Sequence, residues 1–168
     1  ANVVKRILSH ADAEKRRQIN QILHYPEDSA GTIMTTEFVE LKSTFTAEDA
    51  FKTIRRTGLE KETIYTCYVT DDKRVLIGVV TVKDMLLAGE DAIIGDIMDT
   101  KPIYVYTDDD KEDVMKAMTK YDFLAMPVVD KETRLVGIVT IDDAMDVLQD
   151  EDTEDIEIMA AITPSDKP

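Results

Sequence analysis

Apolar positions along this chain switch between two spacings, and the switch happens twice in the same order. Short runs of strand character at 38–41 and 103–106 are followed by stretches of helical spacing at 47–56 and 111–121. Paired β-rich runs come next, 64–69 with 76–80 and then 125–129 with 135–139. The polar turns Thr70-Asp71-Asp72-Lys73 and Asp130-Lys131-Glu132-Thr133 separate the members of each pair. Thr46 with Asp49, and Thr107 with Asp110, set a hydroxyl and an acid three positions apart just ahead of the helical stretches, which predicts capping there. A last helix is expected after each Thr-x-x-Asp, at Thr81 to Asp84 and at Thr140 to Asp143. The order is β-α-β-β-α, written twice.

The two halves are copies of one another. Gly31-Thr32-Ile33-Met34-Thr35 recurs as Gly95-Asp96-Ile97-Met98-Asp99, an offset of 64. Leu76 to Asp84 matches Leu135 to Asp143 at an offset of 59, so the first copy carries five extra residues between Thr57 and Thr66. Two copies are too few for a solenoid, and a tandem duplication packed on itself is the expectation. Ahead of it, Ile19, Ile22 and Leu23 mark an apolar stripe within 11–24, with a short helix at 2–8 before it and Pro26 closing it. The expected division is therefore a helical end at 1–30, a first copy at 31–92, a second at 93–152 and a connecting piece at 153–168, in an α/β (α+β) fold.

Charge narrows the function. Of 168 residues, 35 are Asp or Glu and 20 are Lys or Arg, giving a formal charge of −15, while 43% are hydrophobic. That is enough for a core, so the chain is not an acidic disordered tail. Such a charge repels phosphates, which argues against nucleic acid and anionic membrane surfaces as partners. No apolar run approaches the roughly 18 residues a spanning helix needs, so this piece is not expected to be embedded in a membrane. Cys67, the one cysteine, has no partner for an internal disulfide and sits in an apolar run as a small core residue. His10 and His24 lack Cys partners at zinc spacing, and the basic cluster Lys15-Arg16-Arg17 reads as a solvated face. Neither a Walker-type loop nor a nucleophile elbow nor a catalytic triad is present, so no enzyme is expected.

The acids are unevenly placed. No Lys or Arg occurs from Leu135 to Asp166, and nine acids fall between Asp142 and Glu157. On a helical wheel Ile141, Ala144, Met145 and Leu148 make one apolar stripe, which leaves Asp143, Asp146 and Asp150 on the opposite face. Close carboxylates at a surface repel by about 1 kcal/mol or more per pair, and helices usually dilute this with Lys at i+4. Here that relief is missing. A solubilising face and a divalent-cation surface both answer to the pattern. A second group, Asp108, Asp109, Asp110, Glu112 and Asp113, opens the helix of the second copy, where acids also complement the helix dipole.

The motifs Gly78 to Asp84 and Gly137 to Asp143 (glycine, two apolar residues, then Thr-x-x-Asp) resemble those of the paired cystathionine-β-synthase (CBS) domain. The run from His24 to Val39 is similar to the junction preceding the CBS pair in MgtE-family magnesium transporters, as are Glu62 to Tyr65, Tyr121-Asp122-Phe123 and Thr153 to Ile156. What the resemblance implies is a tandem CBS pair, dimeric through that pair, on the cytoplasmic face of the cell membrane. It implies a truncated N-terminal domain before the pair, and a plug helix beyond it leading to a transmembrane pore domain of the same polypeptide. The module would sense Mg²⁺, closing the pore when the ion favours a compact state. Ligand positions carried over from the family are Glu112, Asp122, Asp143, Asp146, Glu151, Glu154 and Asp155. Mg²⁺ dehydrates reluctantly and takes one or two protein carboxylates with waters, so several weak sites are expected rather than one cage. The resemblance also implies ATP between the copies, with Thr81 and Asp84 at the ribose and Phe123 and Pro127 flanking the base. Beside that stand a plain N-cap for Thr-x-x-Asp and, for the whole chain, an adenine-nucleotide sensor whose acids only solvate it.

Overall fold

A computed structural model describes residues 24–61 and 63–146. A short helix α1 (Ala30–Ile33) leads to β1 (Val39–Leu41), helix α2 (Ala47–Thr57) with a 3-10 turn Gly58–Glu60, the hairpin β2 (Thr66–Thr70) and β3 (Leu76–Thr81), and helix α3 (Val82–Ala88). The second copy repeats this as α4 (Ile94–Ile97), β4 (Val105–Tyr106), α5 (Lys111–Tyr121), β5 (Ala125–Val129) and β6 (Leu135–Thr140). A final helix, α6, starts at Ile141 and is described over 141–146.

Each copy forms a three-stranded sheet in sequence order, its first strand parallel and its third antiparallel to the middle one. The hairpin registers are superimposable: Tyr68 faces Val79 as Pro127 faces Ile138, and each hairpin shifts register at the same place, Val69/Thr70 and Val128/Val129. Helices cover one face of each sheet, with Ala47, Ala50, Ile54 and Met85 packing on the first and Val114, Met115, Met118 and Ala144 on the second. The other faces meet in a seam of Phe38, Tyr68, Leu76, Ala125, Val129, Leu135 and Ile138. Alternating burial in β3, with Leu76, Gly78 and Val80 buried between half-buried neighbours, follows from having a helix layer on one side and the other sheet beyond.

The hairpin tips also pair. The Leu76 amide donates to the Thr133 carbonyl at 3.0 Å and the Leu135 amide to the Arg74 carbonyl at 2.9 Å, which is the local two-fold of the duplication. Asp71 Oδ1 accepts from the amides of Lys73 and Val75, and Asp130 Oδ1 does the same for Glu132 and Arg134, so one turn chemistry serves both tips.

The Gly-x-Ile-Met turns do not pack on the copies they introduce. The first, around α1, lies on the second sheet: the Ala30 amide donates to Asp109 O at 2.7 Å, Gly31 to Thr107 O at 2.8 Å, and Thr35 exchanges bonds with Ile138. The second, around α4, lies on the first copy: Ile94 donates to Phe45 O at 2.7 Å, Gly95 to Ser43 O at 2.9 Å, and Asp99 exchanges bonds with Val79. This crossing explains the glycines at the start of the recurrent motif. A Cβ on Gly137 would meet Met34 Sδ at 2.6 Å, and one on Gly78 would collide with Met98 Sδ, so each methionine seats on the bare backbone of the opposite copy.

Two expectations need correction. Thr107 is not the cap of the second long helix: its backbone is claimed by the sheet, its amide donating to Val129 O at 3.0 Å, and Asp110 caps α5 by accepting from the Glu112 amide at 2.8 Å. The run 103–106 is strand only at Val105 and Tyr106. Pro102, with no N–H, and the turn in which Asp99 accepts from the Lys101 amide at 2.9 Å keep the preceding residues out of the ladder. In the first copy Thr46 and Asp49 form the full capping box.

Candidate functional site

The two Thr-x-x-Asp motifs stand at equivalent places, where the third strand of each sheet turns into the last helix. Thr81 N-caps α3, its hydroxyl accepting from the Asp84 amide at 3.1 Å, and Asp84 is exposed. Thr140 donates its hydroxyl to Asp143 Oδ2 at 3.0 Å and accepts from the Asp143 amide at 3.5 Å. Both motifs therefore serve as caps, whatever else they hold. Phe123 follows the C-terminus of α5, its ring 5.6 Å from that of Tyr121 and its amide donating to Met118 O at 3.0 Å. Pro127 is buried in the middle of β5, opposite Ile138. Thr81 and Asp84 thus belong to the open end of the first sheet, and Phe123 and Pro127 to the second copy.

The metal positions are spread out. Glu112 is exposed in the first turn of α5, beside Asp110. Asp122 ends that helix in the left-handed region, φ 55° and ψ 41°, a conformation Asp tolerates better than most residues. Asp143 is half-buried and Asp146 exposed on α6. Among the described residues no group of three or more His, Cys, Asp or Glu converges as a metal cage. Glu151, Glu154 and Asp155 lie outside the described residues, as do Asp150, Leu148, Lys15, Arg16, Arg17 and His10. The described donor set, exposed Glu112, Asp122 and Asp146 with half-buried Asp143, does not converge and suits ions that keep most of their water.

Burial governs the titrations. It pushes the Cys67 thiol up to about 12, leaving an inert core residue. The Tyr68 phenol is likewise pushed up by burial, and its hydroxyl has no hydrogen-bond partner among the described residues. Burial opposes the ionisation of Asp130, but hydrogen bonds from the Arg134 backbone and side chain and from the Glu132 amide outweigh it and lower its pKa.

The apolar residues at the two open ends carry no functional signal in the sequence, where Met145 enters only as part of a helical stripe. Tyr65 and Leu124, at equivalent positions, are 69% and 66% exposed, and Leu86 and Met145, also equivalent, 65% and 50%. Among the described residues of the expected stripe on the last helix, Ala144 is buried while Ile141 and Met145 are exposed. The offset of 59 was the available signal, since it aligns both pairs.

Two β-α-β-β-α units interlocked about a local two-fold, each ending in Thr-x-x-Asp at an open sheet end, define a tandem CBS module. The CBS domain model matches residues 30–91 and 94–150, and the chain belongs to that family. It is homologous to the MgtE magnesium transporters: that of Thermus thermophilus is 41% identical over 162 residues, covering 96% of this chain and 36% of the transporter. The chain spans about a third of the length of the curated relatives it matches. A crystal structure of the soluble part of a magnesium transporter superposes with a TM-score of 0.76 at 41% identity, covering 86% of this chain and 56% of that one. The cytosolic domain of the Mg²⁺ channel MgtE in complex with ATP gives 0.74 at 42% identity, covering 84% and 57%. Among the described residues no helix is long and apolar enough to cross a membrane.

Proposed function

We propose that this chain is a Mg²⁺-sensing regulatory module of a magnesium transporter, without catalytic activity of its own, and that it works on the cytoplasmic face of the membrane. The observation that carries this is the stretch from Leu135 to Asp166 without Lys or Arg, whose first acids lie on the rim helix α6 with Asp142 and Asp146 exposed, in a chain homologous to MgtE. Residues 1–30 are then the end of a helical N-terminal domain, 31–92 and 93–152 the CBS copies, and 153–168 the start of the segment leading to the pore. Mg²⁺ held by water-rich contacts at Glu112, Asp122, Asp143, Asp146, Glu151, Glu154 and Asp155 lowers the repulsion between acidic faces. Any ion that prefers the compact state shifts the population by its differential affinity, about 2.7 kcal/mol per site at a free concentration 100 times its Kd.

The module is a homodimer in this reading. The exposed pairs Tyr65 with Leu86 and Leu124 with Met145 supply an apolar surface on each open end for a second copy to cover. The test is small-angle scattering with Mg²⁺ titrated at constant, high ionic strength. Compaction at constant dimer mass, weakened by Asp146→Asn with Glu151→Gln, is expected. A profile unchanged up to tens-of-millimolar Mg²⁺ rejects ion-driven closure.

ATP binding is a second reading favoured by a separate observation, the exposed Asp84 at an open sheet end in a chain 42% identical to a cytosolic domain solved in complex with ATP. Asp84 would accept from ribose hydroxyls while Thr81 keeps its capping role, with Phe123 and Pro127 at the base. Calorimetric titration with ATP should give saturable binding that Asp84→Asn removes. If Asp84→Asn binds ATP as the parent does, the site lies elsewhere.

A further inference from the structure

The two Gly-x-Ile-Met turns and the residues leading into them form straps, each crossing to the other copy. Residues 25–35 run away from β1 to α3 of the first copy, which follow them in sequence, and attach along the second. The Lys111 amide donates to Asp28 O at 2.8 Å and its ammonium pairs with Asp28 Oδ1 at 3.0 Å. Ala30 and Gly31 bond to Asp109 and Thr107. The Tyr25 ring packs so closely on Gly31 that a Cβ there would meet it at 2.6 Å. Burial, then the carboxylates of Asp130 and Asp108, raise the Tyr25 pKa, which puts the ring among the loops of the second copy. The strap ends on β6 itself: Thr35 donates to Ile138 O at 2.8 Å, Ile138 donates back at 2.9 Å, and Met34 covers Gly137.

Strand β6 runs straight on into α6. The Ile141 amide, three residues past Ile138, is fixed to Leu124 O at 2.9 Å. We infer that β6 is the junction through which a displacement of the strap at 25–35 reaches the C-terminal helix α6, bypassing the first CBS copy. Entrance and exit of the pair are thereby mounted on one strand, and the first copy is held beside that line by the other strap, around Met98 and Gly78. Packed elements of this kind shift between discrete arrangements rather than stretching, so a movement at Thr35 is delivered to Ile138 instead of being absorbed. The inference does not depend on which ion or nucleotide the module senses, because its test uses neither.

The test is residue-resolved amide exchange on the full chain. Tyr25→Ala, which removes the ring clamping Gly31, should speed exchange at Ile138 and Ile141 about tenfold and leave Tyr68 and Val80 in the first sheet unchanged. Gly137→Ala should do the same by lifting Met34. Gly78→Ala, its counterpart with a comparable steric insult, should speed Val79 and spare Ile138 and Ile141. Should a glycine variant not fold, Met34→Ala and Met98→Ala are compared in the same way, since each only shortens the side chain seated on the glycine. An effect of Tyr25→Ala confined to 25–31, or spread equally over both sheets, overturns the inference. So does a Gly78→Ala variant that loosens Ile141 as much as Gly137→Ala does.

Discussion

Thr46 and Asp49 show how much a single pair of side chains can settle. The Thr46 hydroxyl accepts from the Asp49 amide at 3.1 Å and Asp49 accepts from the Thr46 amide at 3.1 Å, which occupies two of the donors α2 leaves open. Thr46→Ala should cost ~1 kcal/mol, read as a lower urea midpoint with an unchanged slope. Hydrogen bonds from the Thr46 backbone, and then its side chain, hold the Asp49 carboxyl below its usual pKa. A depressed folded pKa adds stability above the unfolded value, near 3.9, and that stability is lost as pH falls through the folded value. Asp49→Asn should therefore lower stability by a roughly constant amount above about pH 5 and flatten the acid limb, so that the two stability-pH curves converge at low pH. Tyr68 presents the opposite case, a wholly buried ring whose hydroxyl meets no partner among the described residues. Leaving such a group unsatisfied costs about 1–3 kcal/mol, so Tyr68→Phe should be neutral or stabilising in urea unfolding, and a clear loss would mean that the hydroxyl is bonded. Cys67 should resist alkylation at pH 8 in the native protein and react on unfolding, because its thiol titrates at about 12 when buried.

Elements repeat their chemistry across the duplication, including a strained one. Arg74 and Thr133, equivalent tip residues, sit at φ 66° and φ 60°. That region is disfavoured for a β-branched side chain, yet both carbonyls are needed for the tip-to-tip bonds. Thr133→Asn should raise stability by up to ~1 kcal/mol, since Asn tolerates the left-handed region without disturbing the carbonyl. Thermal unfolding would then shift upward by a few degrees; an unchanged or lower midpoint means that the Thr133 side chain compensates elsewhere. The long helices, both hairpins and the caps at Thr46, Thr81 and Thr140 were legible in the sequence, because periodicity and capping act over a few residues. Thr107 was misleading for the same reason: the hydroxyl-acid spacing was right, but a sheet bond to Val129, far along the chain, claimed its backbone first.

For the whole molecule the open question of charge and that of apolar surface meet at the same rim. Ile141 and Met145 are exposed on α6 beside Asp142 and Asp146, so closing a second copy over the apolar residues also brings carboxylates together. If the proposed homodimer forms through this rim, Met145→Glu with Leu86→Glu should leave only monomer in analytical ultracentrifugation while the circular dichroism of the fold is kept. A dimer that survives both changes places its interface elsewhere. On the proposed Mg²⁺-sensing role, Mg²⁺ should raise the melting temperature of the chain beyond the effect of NaCl at equal ionic strength, since screening acts on all charges and binding on one state.

The sequence alone determined the duplication, the β-α-β-β-α order, the acidic character of the second copy and the CBS resemblance, because each is written in local spacing or direct self-comparison. Its candidate site was legible as a set of residue types, with Thr81 and Asp84 adjacent by their own cap and Glu112 and Asp122 at the two ends of one helix. Only the tertiary structure decided which copy each Gly-x-Ile-Met turn serves, and which apolar residues of α6 remain uncovered. Those are matters of long-range packing. The offset of 64 marks Met34 and Met98 as equivalent, but nothing local says that each must rest on the glycine of the other copy, where a bare backbone is what lets the two sheets lock together.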